Sequence, residues 1–288
     1  MPLCALCIEG HALVSRPTIS ATRANLGQIA PPIVVFFAFI ALWYFVSEVV
    51  LPEHKQFLLP RPDVVLTDGF LVWDAGQQRG MKNILLSLWS TSQIALIGLL
   101  ITTVAGVALA LVMSMIPWVG RASWPYLVAL QAAPIIALTP LIRALIDNST
   151  MQRVLVVVLI AFFPITSATF FGLTTVPSPL HDLFTVHRAT RWQRLVQLQA
   201  PHSLPALFLG LRTSAGLAVV GAVVGDFYFR QGGRVGIGAQ IDLYRAQLWG
   251  ADLVAAVIVA SALGVILFLF FSLLSRRLIG HWHRPMTN

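Results

Sequence analysis

The sequence predicts an all-α polytopic membrane protein with six transmembrane helices, because its composition is strongly apolar and its apolar runs are long. Of its 288 residues, 57% are hydrophobic and 10% are charged, whereas ordinary soluble proteins have about 45–50% and about 25%. Such a chain has too few polar side chains to cover its own surface. Its net charge of +8 comes from scattered arginines, which fits contact with membrane lipid and not binding of nucleic acid.

Six windows along the chain have the length and composition of a transmembrane helix, which needs about 20 mostly apolar residues. They cover residues 28–51, 84–115, 123–146, 151–176, 204–229 and 251–274. Trp43 and Tyr44 are expected to anchor the end of the first span at the membrane interface. Pro125, Pro134 and Pro140 interrupt the third window, so a kinked helix is predicted there.

The flanking segments predict that both termini lie in the cytoplasm. Residues 1–27 lack the apolar stretch and cleavage site of a signal peptide and are expected to form a cytoplasmic tail, followed by a membrane domain over 28–280 and a second cytoplasmic tail over 281–288. Basic residues divide almost equally between the two sides. The orientation therefore depends on acid-free arginine segments beside helix ends. No metal or redox role is predicted for the isolated pair Cys4 and Cys7.

The signatures of common catalytic sites are missing from the sequence. Lys55 and Lys82 are the only lysines, and neither stands in a phosphate-binding loop, so the chain is not expected to hydrolyse ATP or to hold a cofactor. Metalloprotease and nucleophile-elbow motifs are also missing, and an enzyme is not predicted. The glycine-rich stretch 231–239 departs from the dinucleotide-binding pattern, and we predict a loop that requires positive φ.

Ion-coupled carriers usually bury titratable side chains at membrane depth. Here Glu48, Asp147 and Asp226 are predicted at the ends of spans, which argues against an ion-coupled secondary carrier. That alternative stays open, because backbone carbonyls can also coordinate sodium. Arg212 is the clearest charge within a span, and both snorkelling to the interface and a role inside the bundle are open. Arg143 is expected to pair with Asp147 one helical turn away.

The loop over residues 177–203 has a pattern that the other loops lack. Apolar side chains recur there at helical spacing in two stretches, which predicts two short amphipathic helices. The stretches contain Leu180, Leu183, Phe184 and His187, and then Trp192, Leu195, Val196 and Gln199. Their polar faces carry Arg188, Arg191 and Arg194, and Pro201 and Pro205 are predicted to end the second helix. Such a pair suits either a partner's groove or an anionic lipid surface.

The segment 191–212, RWQRLVQLQAPHSLPALFLGLR, resembles the cytoplasmic loop of permease subunits of bacterial ABC importers of the nitrate/sulfonate/taurine group. In that family the pattern is E-A-A-x-x-L-G-A-S-R-W, then V-L-P-x-x-L-P and G-L-R. The residues that match in register are Arg191-Trp192, Pro201, Leu204-Pro205 and Gly210-Leu211-Arg212. Further matches, among them Leu59-Pro60 and Gly236-Ile237-Gly238, extend the resemblance from residue 30 to the end of the sequence.

The resemblance implies a type I ABC importer permease in the bacterial cytoplasmic (inner) membrane, with residues 177–203 as a two-helix coupling loop. It implies a homodimer with two ATPase subunits, which would bind ATP and Mg, and an extracytoplasmic solute-binding protein. The implied function is inward movement of a nitrate-, sulfonate- or taurine-like anion or a vitamin precursor by alternating access. The residues expected to contact the ATPase are Asp182, Leu183, Phe184, His187, Arg188, Arg191, Trp192 and Leu195.

Two departures from the family pattern fall in the coupling loop. Asp182 replaces the usual glutamate and is followed by Leu183 and Phe184 in place of two alanines, and Arg188 replaces the loop glycine. If that position requires positive φ, a non-glycine residue there costs about 1 kcal/mol. We predict that the transport path runs between the third, fourth and fifth spans. The expected polar lining residues are Gln131, Thr139, Thr166, Ser167, Thr169 and Ser214.

Overall fold

A computed structural model describes residues 24–52, 59–76, 78–229 and 235–279, and every regular element in these ranges is helical. The chain divides into two units, Met1–Leu51 and Pro52–Asn288. The first contains α1 (Ala24–Phe45), which continues as π-helix over Val46–Val50. The second contains α2 (Pro62–Val64, followed by π-helix over Val65–Leu71), α3 (Met81–Met115), α4 (Pro117–Ala132), α5 (Ile135–Leu145), α6 (Ser149–Thr174), α7 (Ser178–Val186), α8 (Arg191–Arg194), α9 (Ala200–Tyr228), α10 (Ile237–Ala246) and α11 (Gly250–Ile279). Cys4 and Cys7 and the predicted tail 281–288 lie outside the described residues.

Five helical stretches are long and apolar enough to cross a membrane, and a bent pair of helices is a sixth candidate. The five are Pro31–Val50, Met81–Met115, Ser149–Thr174, Arg191–Tyr228 and Gly250–Leu278. They confirm the predicted all-α polytopic fold and coincide with five of the six predicted windows. The sixth window holds α4 and α5.

The third predicted span is broken and not merely kinked. α4 and α5 meet at an angle of 100°, and the break lies at Ala133 and Pro134. Ala133 is extended, with φ −65° and ψ 128°, as expected for a residue that precedes proline. Pro125 and Pro140, by contrast, lie inside α4 and α5 without ending them. The single kinked helix predicted for this window is therefore wrong.

Helices α3, α6 and α9 pack closely because small residues line their contacts. A Cβ added to Gly98 of α3 would lie 2.4 Å from a Val157 methyl group of α6, and one added to Gly221 of α9 would lie 2.9 Å from the Val157 Cα. Small residues permit this close approach of helices in membranes. The buried core is formed by Ile94, Ala95, Leu99, Val157, Ala161, Ile165, Ala215, Ala218, Val219 and Ala222.

The second predicted amphipathic helix does not end before the fifth span. α8 continues through a π-helical stretch, Leu195–Gln199, into α9, so that one helix runs from Arg191 to Tyr228. Pro201 has no N–H to donate to the carbonyl four residues earlier. It lies directly after the π-helical stretch, whose wider turn accommodates the missing hydrogen bond. The prediction that Pro201 and Pro205 end the helix is therefore wrong.

Candidate functional site

A Schellman motif ends α7, and its left-handed residue is Arg188. The Ala189 N–H donates to the Phe184 carbonyl at 2.9 Å, and the Arg188 N–H donates to the Thr185 carbonyl at 3.0 Å. Arg188 has φ 51°, in the region where a side chain costs about 1–2 kcal/mol. The condition stated for this position, a positive φ, is met, and the arginine adopts a backbone conformation that a residue with a side chain disfavours.

We expect Arg188→Gly to stabilise the end of α7 by about 1 kcal/mol, because glycine adopts this φ without a Cβ clash. Hydrogen exchange measured by mass spectrometry should show the Ala189 amide exchanging about fivefold more slowly. Arg191→Gly is the matched control, since it removes the same side chain from the first turn of α8, where glycine weakens the helix. Equal changes in protection for the two variants would contradict the expectation.

The start of α8 is fixed as firmly as the end of α7. The Thr190 hydroxyl accepts the Gln193 N–H at 3.3 Å, and the Gln193 side chain accepts the Thr190 N–H at 2.8 Å. This reciprocal pair is a capping box. The turn between α7 and α8 therefore has one defined geometry, which positions the two helices relative to each other.

The α7–α8 segment (178–199) presents apolar side chains that its own chain does not cover. Leu183 and Val186 are 51% and 79% exposed, Trp192 is 64% exposed, and α7 buries no residue. A groove of about 360 Å³ lies between the two helices and is lined by Leu183, Phe184, His187, Ala189, Gln193 and Gln197. A contiguous exposed apolar surface of this kind is typical of a docking site.

The residues predicted to contact an ATPase do not all face outward. Asp182, Leu183, His187, Arg188, Arg191 and Trp192 are exposed, and Phe184 is half-buried in the groove. Leu195 is only 4% exposed and packs against Ala110 of α3 and Leu173 of α6. Leu195 therefore connects the α7–α8 segment to the core of the bundle and is not available to a partner.

The six polar residues predicted to line a path are dispersed. Thr166, Thr169 and Ser214 are buried, and the Ser214 hydroxyl of α9 donates to the Ala161 carbonyl of α6 at 2.9 Å. The hydroxyls of Thr139, Thr166 and Ser167 bond to carbonyls of their own helices. Gln131 is exposed and lines a small cavity of about 180 Å³ between α4, α5, α6 and α9.

Two arginines of the spans contact neighbouring helices. The guanidinium of Arg212 lies 5.7 Å from the ring centre of Phe268 in α11, so this residue has a contact inside the bundle. Arg143 donates to the carbonyl of Tyr228. Arg143 forms no ion pair with Asp147 among the described residues, and the predicted pairing is wrong.

A buried polar junction, which the sequence analysis missed, joins α3, α6, α9 and α10. Asp226 of α9 is 1% exposed and pairs with Arg153 of α6, their Oδ1 and Nη1 atoms 3.2 Å apart. The Thr91 hydroxyl of α3 donates to the other carboxylate oxygen and accepts the N–H of Ile237 at 2.8 Å. We call Thr91, Arg153, Asp226 and Ile237 the Asp226 junction. Asp226 thus binds two neighbouring spans directly and the first turn of α10 through Thr91.

α10 begins directly against α9 because two of its first residues are glycines. A Cβ on Gly236 would lie 2.0 Å from the Asp226 carboxylate, and one on Gly238 would lie 2.1 Å from the Val223 carbonyl oxygen. Gly236 has φ −84°, so the predicted need for positive φ is wrong at this position. The two glycines allow α10 to approach α9 closely. As a result, the Asp226 carboxylate lies at the N-terminus of α10, where unpaired backbone N–H groups favour a negative charge.

A second buried carboxylate holds the loop before α3 against α10 and α11. Asp252, which is 1% exposed, accepts from the Arg79 Nε at 2.8 Å. The Gln78 carbonyl accepts from Gln240 at 2.7 Å and from the Tyr244 hydroxyl at 3.0 Å. Burial raises the pKa of the Tyr244 hydroxyl further above its usual value, which already lies well above neutral pH.

Residues 102–280 match the family model for the binding-protein-dependent transport system inner membrane component. The chain is 37% identical over 167 residues to the riboflavin transport system permease protein RibX of Chloroflexus aurantiacus, and this match covers 58% of the chain and 61% of that protein. It is 32% identical over 248 residues to the formylaminopyrimidine transport permease protein ThiX of Halalkalibacterium halodurans, covering 84% and 91%. The identity to the nitrate import permease protein NrtB of Synechococcus elongatus is 24% over 232 residues, covering 76% and 80%.

Proposed function

Because this chain belongs to the family of binding-protein-dependent transport system inner membrane components, we propose that it is the membrane-spanning permease subunit of an ATP-binding-cassette importer. The family consists of transport components and not of enzymes. Membership confirms the resemblance first indicated by residues 191–212. The proposed location is the bacterial inner membrane, with both termini in the cytoplasm.

The exposed apolar surface of the α7–α8 segment supports this proposal. The segment presents this surface and a groove, while its buried Leu195 packs into the bundle against Leu173. A surface with this division suits a partner that must both bind and move the spans. We propose that the partner is an ATPase subunit that binds ATP and Mg, one copy for each permease chain, because this sequence has no phosphate-binding loop.

A second copy of the chain completes the proposed importer. α4 and α5 carry large exposed apolar side chains, namely Trp118, Tyr126, Val128, Ile136, Leu141 and Leu145. In a monomer, lipid would cover this surface. The break at Pro134, however, places the end of α4 and the start of α5 within the apolar window, where their unpaired backbone N–H and C=O groups need hydrogen-bond partners that lipid cannot supply. A homodimer that packs around α4 and α5 would cover them. An extracytoplasmic solute-binding protein would deliver the solute.

The proposed solute is a small molecule of the kind for which the relatives are named. Relatives at 37% and 32% identity are named for riboflavin and formylaminopyrimidine, a relative at 30% is named for aliphatic sulfonates, and the relative named for nitrate is 24% identical. A vitamin or vitamin precursor is therefore favoured over a nitrate-like anion, and a sulfonate- or taurine-like anion is the next candidate. Movement would occur by alternating access, with the α7–α8 segment shifting α9 as the ATPases close.

One observation favours a second candidate, the ion-coupled secondary carrier. Asp226 is a buried carboxylate among the spans, of the type that such carriers use. Its two oxygens are already bonded to Arg153 and Thr91, which leaves little capacity to bind and release an ion. The two candidates differ in one measurable respect, since uptake by a carrier would continue without ATP and without any ATPase.

We expect Trp192→Ala to weaken binding of the ATPase by about 2 kcal/mol, or about thirtyfold, because an exposed tryptophan at a docking surface acts as an anchor. The measurement is affinity purification of the chain from its own membranes in mild detergent, with quantitative mass spectrometry of a companion bearing a phosphate-binding loop. Trp73→Ala is the matched control, since Trp73 is 62% exposed but lies before α3, outside the surfaces proposed for the ATPase and for the second copy. Recovery of the chain without any ATPase would contradict the proposal and favour the carrier.

A further inference from the structure

We propose that α10 is a releasable gate at one end of the bundle and that Asp226 is the positioning residue that holds it closed. The role as a gate rests on the proposed transport function, whereas the attachment of α10 rests on geometry alone. The attachment consists of the Asp226 junction on one side of α10 and of the hydrogen bonds to the Gln78 carbonyl on the other.

The junction is built so that α10 can leave without breaking the ion pair. Arg153 and Asp226 belong to the spans α6 and α9, and their contact does not involve α10. Release of α10 would break the hydrogen bond from Ile237 to Thr91 and separate the helix N-terminus from the carboxylate. Each of these interactions is modest. The expensive event, which is leaving a buried charge unpaired, does not occur.

Two cavities beside α10 leave space into which this helix could move. One cavity of about 230 Å³ is lined in part by Asp226, Ala239 and Leu243, and a neighbouring cavity of about 410 Å³ is lined in part by Gln240. Gln78 and Val235 border both cavities. Displacement of α10 would therefore merge them into one opening that reaches the polar start of α3.

The contacts that seat α10 combine two fully buried large side chains with contacts of small and polar groups. Among its buried residues, Ile237 and Tyr244 are the large apolar ones, and the others are Gly238, Ala239 and Gln240. Exposure of Ile237 and Tyr244 is therefore the main cost of releasing α10, and the polar contacts add to it. Asp226 therefore fixes the position of α10. Its carboxylate supplies the negative charge that the unpaired N–H groups in the first turn of α10 favour, and Gly236 has no side chain that could supply it.

The test measures the accessibility of Ala239, a residue of α10 that is 8% exposed and lines the cavity beside Asp226. Ala239→Cys is placed in a chain with Cys4→Ser and Cys7→Ser, and the rate of labelling by a membrane-impermeant maleimide is measured in membrane vesicles. Asp226→Asn should raise this rate about tenfold, because the amide keeps the shape and loses the charge-assisted bonds. Asp74→Asn is the matched control, since Asp74 also pairs with a cation but is exposed, and it should leave the rate unchanged.

The Thr91→Val variant and the addition of ATP provide two further tests of the gate. Thr91→Val preserves the Arg153–Asp226 pair but removes the acceptor for Ile237, and it should also raise labelling if Asp226→Asn fails to fold. In the assembled importer, ATP should change the labelling rate of the Ala239→Cys chain, which a purely structural α10 would not do. Equal rates for Asp226→Asn and Asp74→Asn, or a rate independent of ATP, would overturn the gate. Labelling by itself requires no ATPase, so its outcome is separate from that of the proposed function.

Discussion

Replacement of Gly238 by alanine is expected to be among the most destabilising single substitutions in this chain. The added Cβ would lie 2.1 Å from the Val223 carbonyl oxygen and 3.0 Å from the Phe227 nitrogen. Both are backbone atoms of α9, so no side chain can turn aside to make room. Overpacking usually costs about 1–3 kcal/mol, and a clash with backbone belongs at or above the upper end.

The measurement is thermal unfolding of the purified chain in detergent, where a loss of about 3 kcal/mol corresponds to about 5 °C for a chain of 288 residues. Gly216→Ala is the control, because no atom lies within 4 Å of the added Cβ in the middle of α9. Alanine is the better helix former, so the control should match or exceed the wild-type melting temperature. Equal losses for both variants would refute the close approach of α10 to α9.

The second large effect is expected from Arg153→Met. This substitution leaves the Asp226 carboxylate buried, 1% exposed, without its cation. Breaking a buried ion pair in this way costs about 3–5 kcal/mol, because the remaining charge has lost its compensation. The double variant Arg153→Met with Asp226→Asn should recover most of the loss, since no uncompensated charge remains.

The same unfolding measurement gives the coupling energy from the two single variants and the double variant. Lys82→Met is the control for loss of a cation, because the Lys82–Asp74 pair has both side chains more than 40% exposed. An exposed pair contributes about 0–1 kcal/mol. Additive losses in the Arg153 and Asp226 variants would mean that the two side chains do not depend on each other.

The spans could be predicted because the signal is local. A window of apolar residues needs no knowledge of its neighbours, and five of the six windows coincide with single helices. The third window failed because the sequence contains three prolines and does not reveal which of them breaks the helix. Pro125 and Pro140 are accommodated inside α4 and α5, whereas Pro134 ends a helix, and that outcome depends on the packing around each position.

The Asp226 junction was missed because it joins residues that are 73 positions apart. A signal was nevertheless present. Arg153 stands near the start of the fourth predicted span and Asp226 near the end of the fifth, and antiparallel neighbouring spans bring such positions to the same depth. The tight contacts of Gly236 and Gly238 left no comparable trace, because a glycine chosen for close approach looks the same in sequence as one chosen for positive φ.

The continuity of the helix from Arg191 to Tyr228 has a mechanical consequence. Its 38 residues form a rod about 57 Å long at 1.5 Å per residue. A tilt of about 5° pivoting at the Arg191 end would displace the far end, where Asp226 stands, by about 5 Å, since displacement grows with length along a stiff helix. A small rotation imposed on Trp192 would therefore move Asp226 by more than the 3.2 Å that separates it from Arg153, so that α6 would have to move together with α9 for the ion pair to persist.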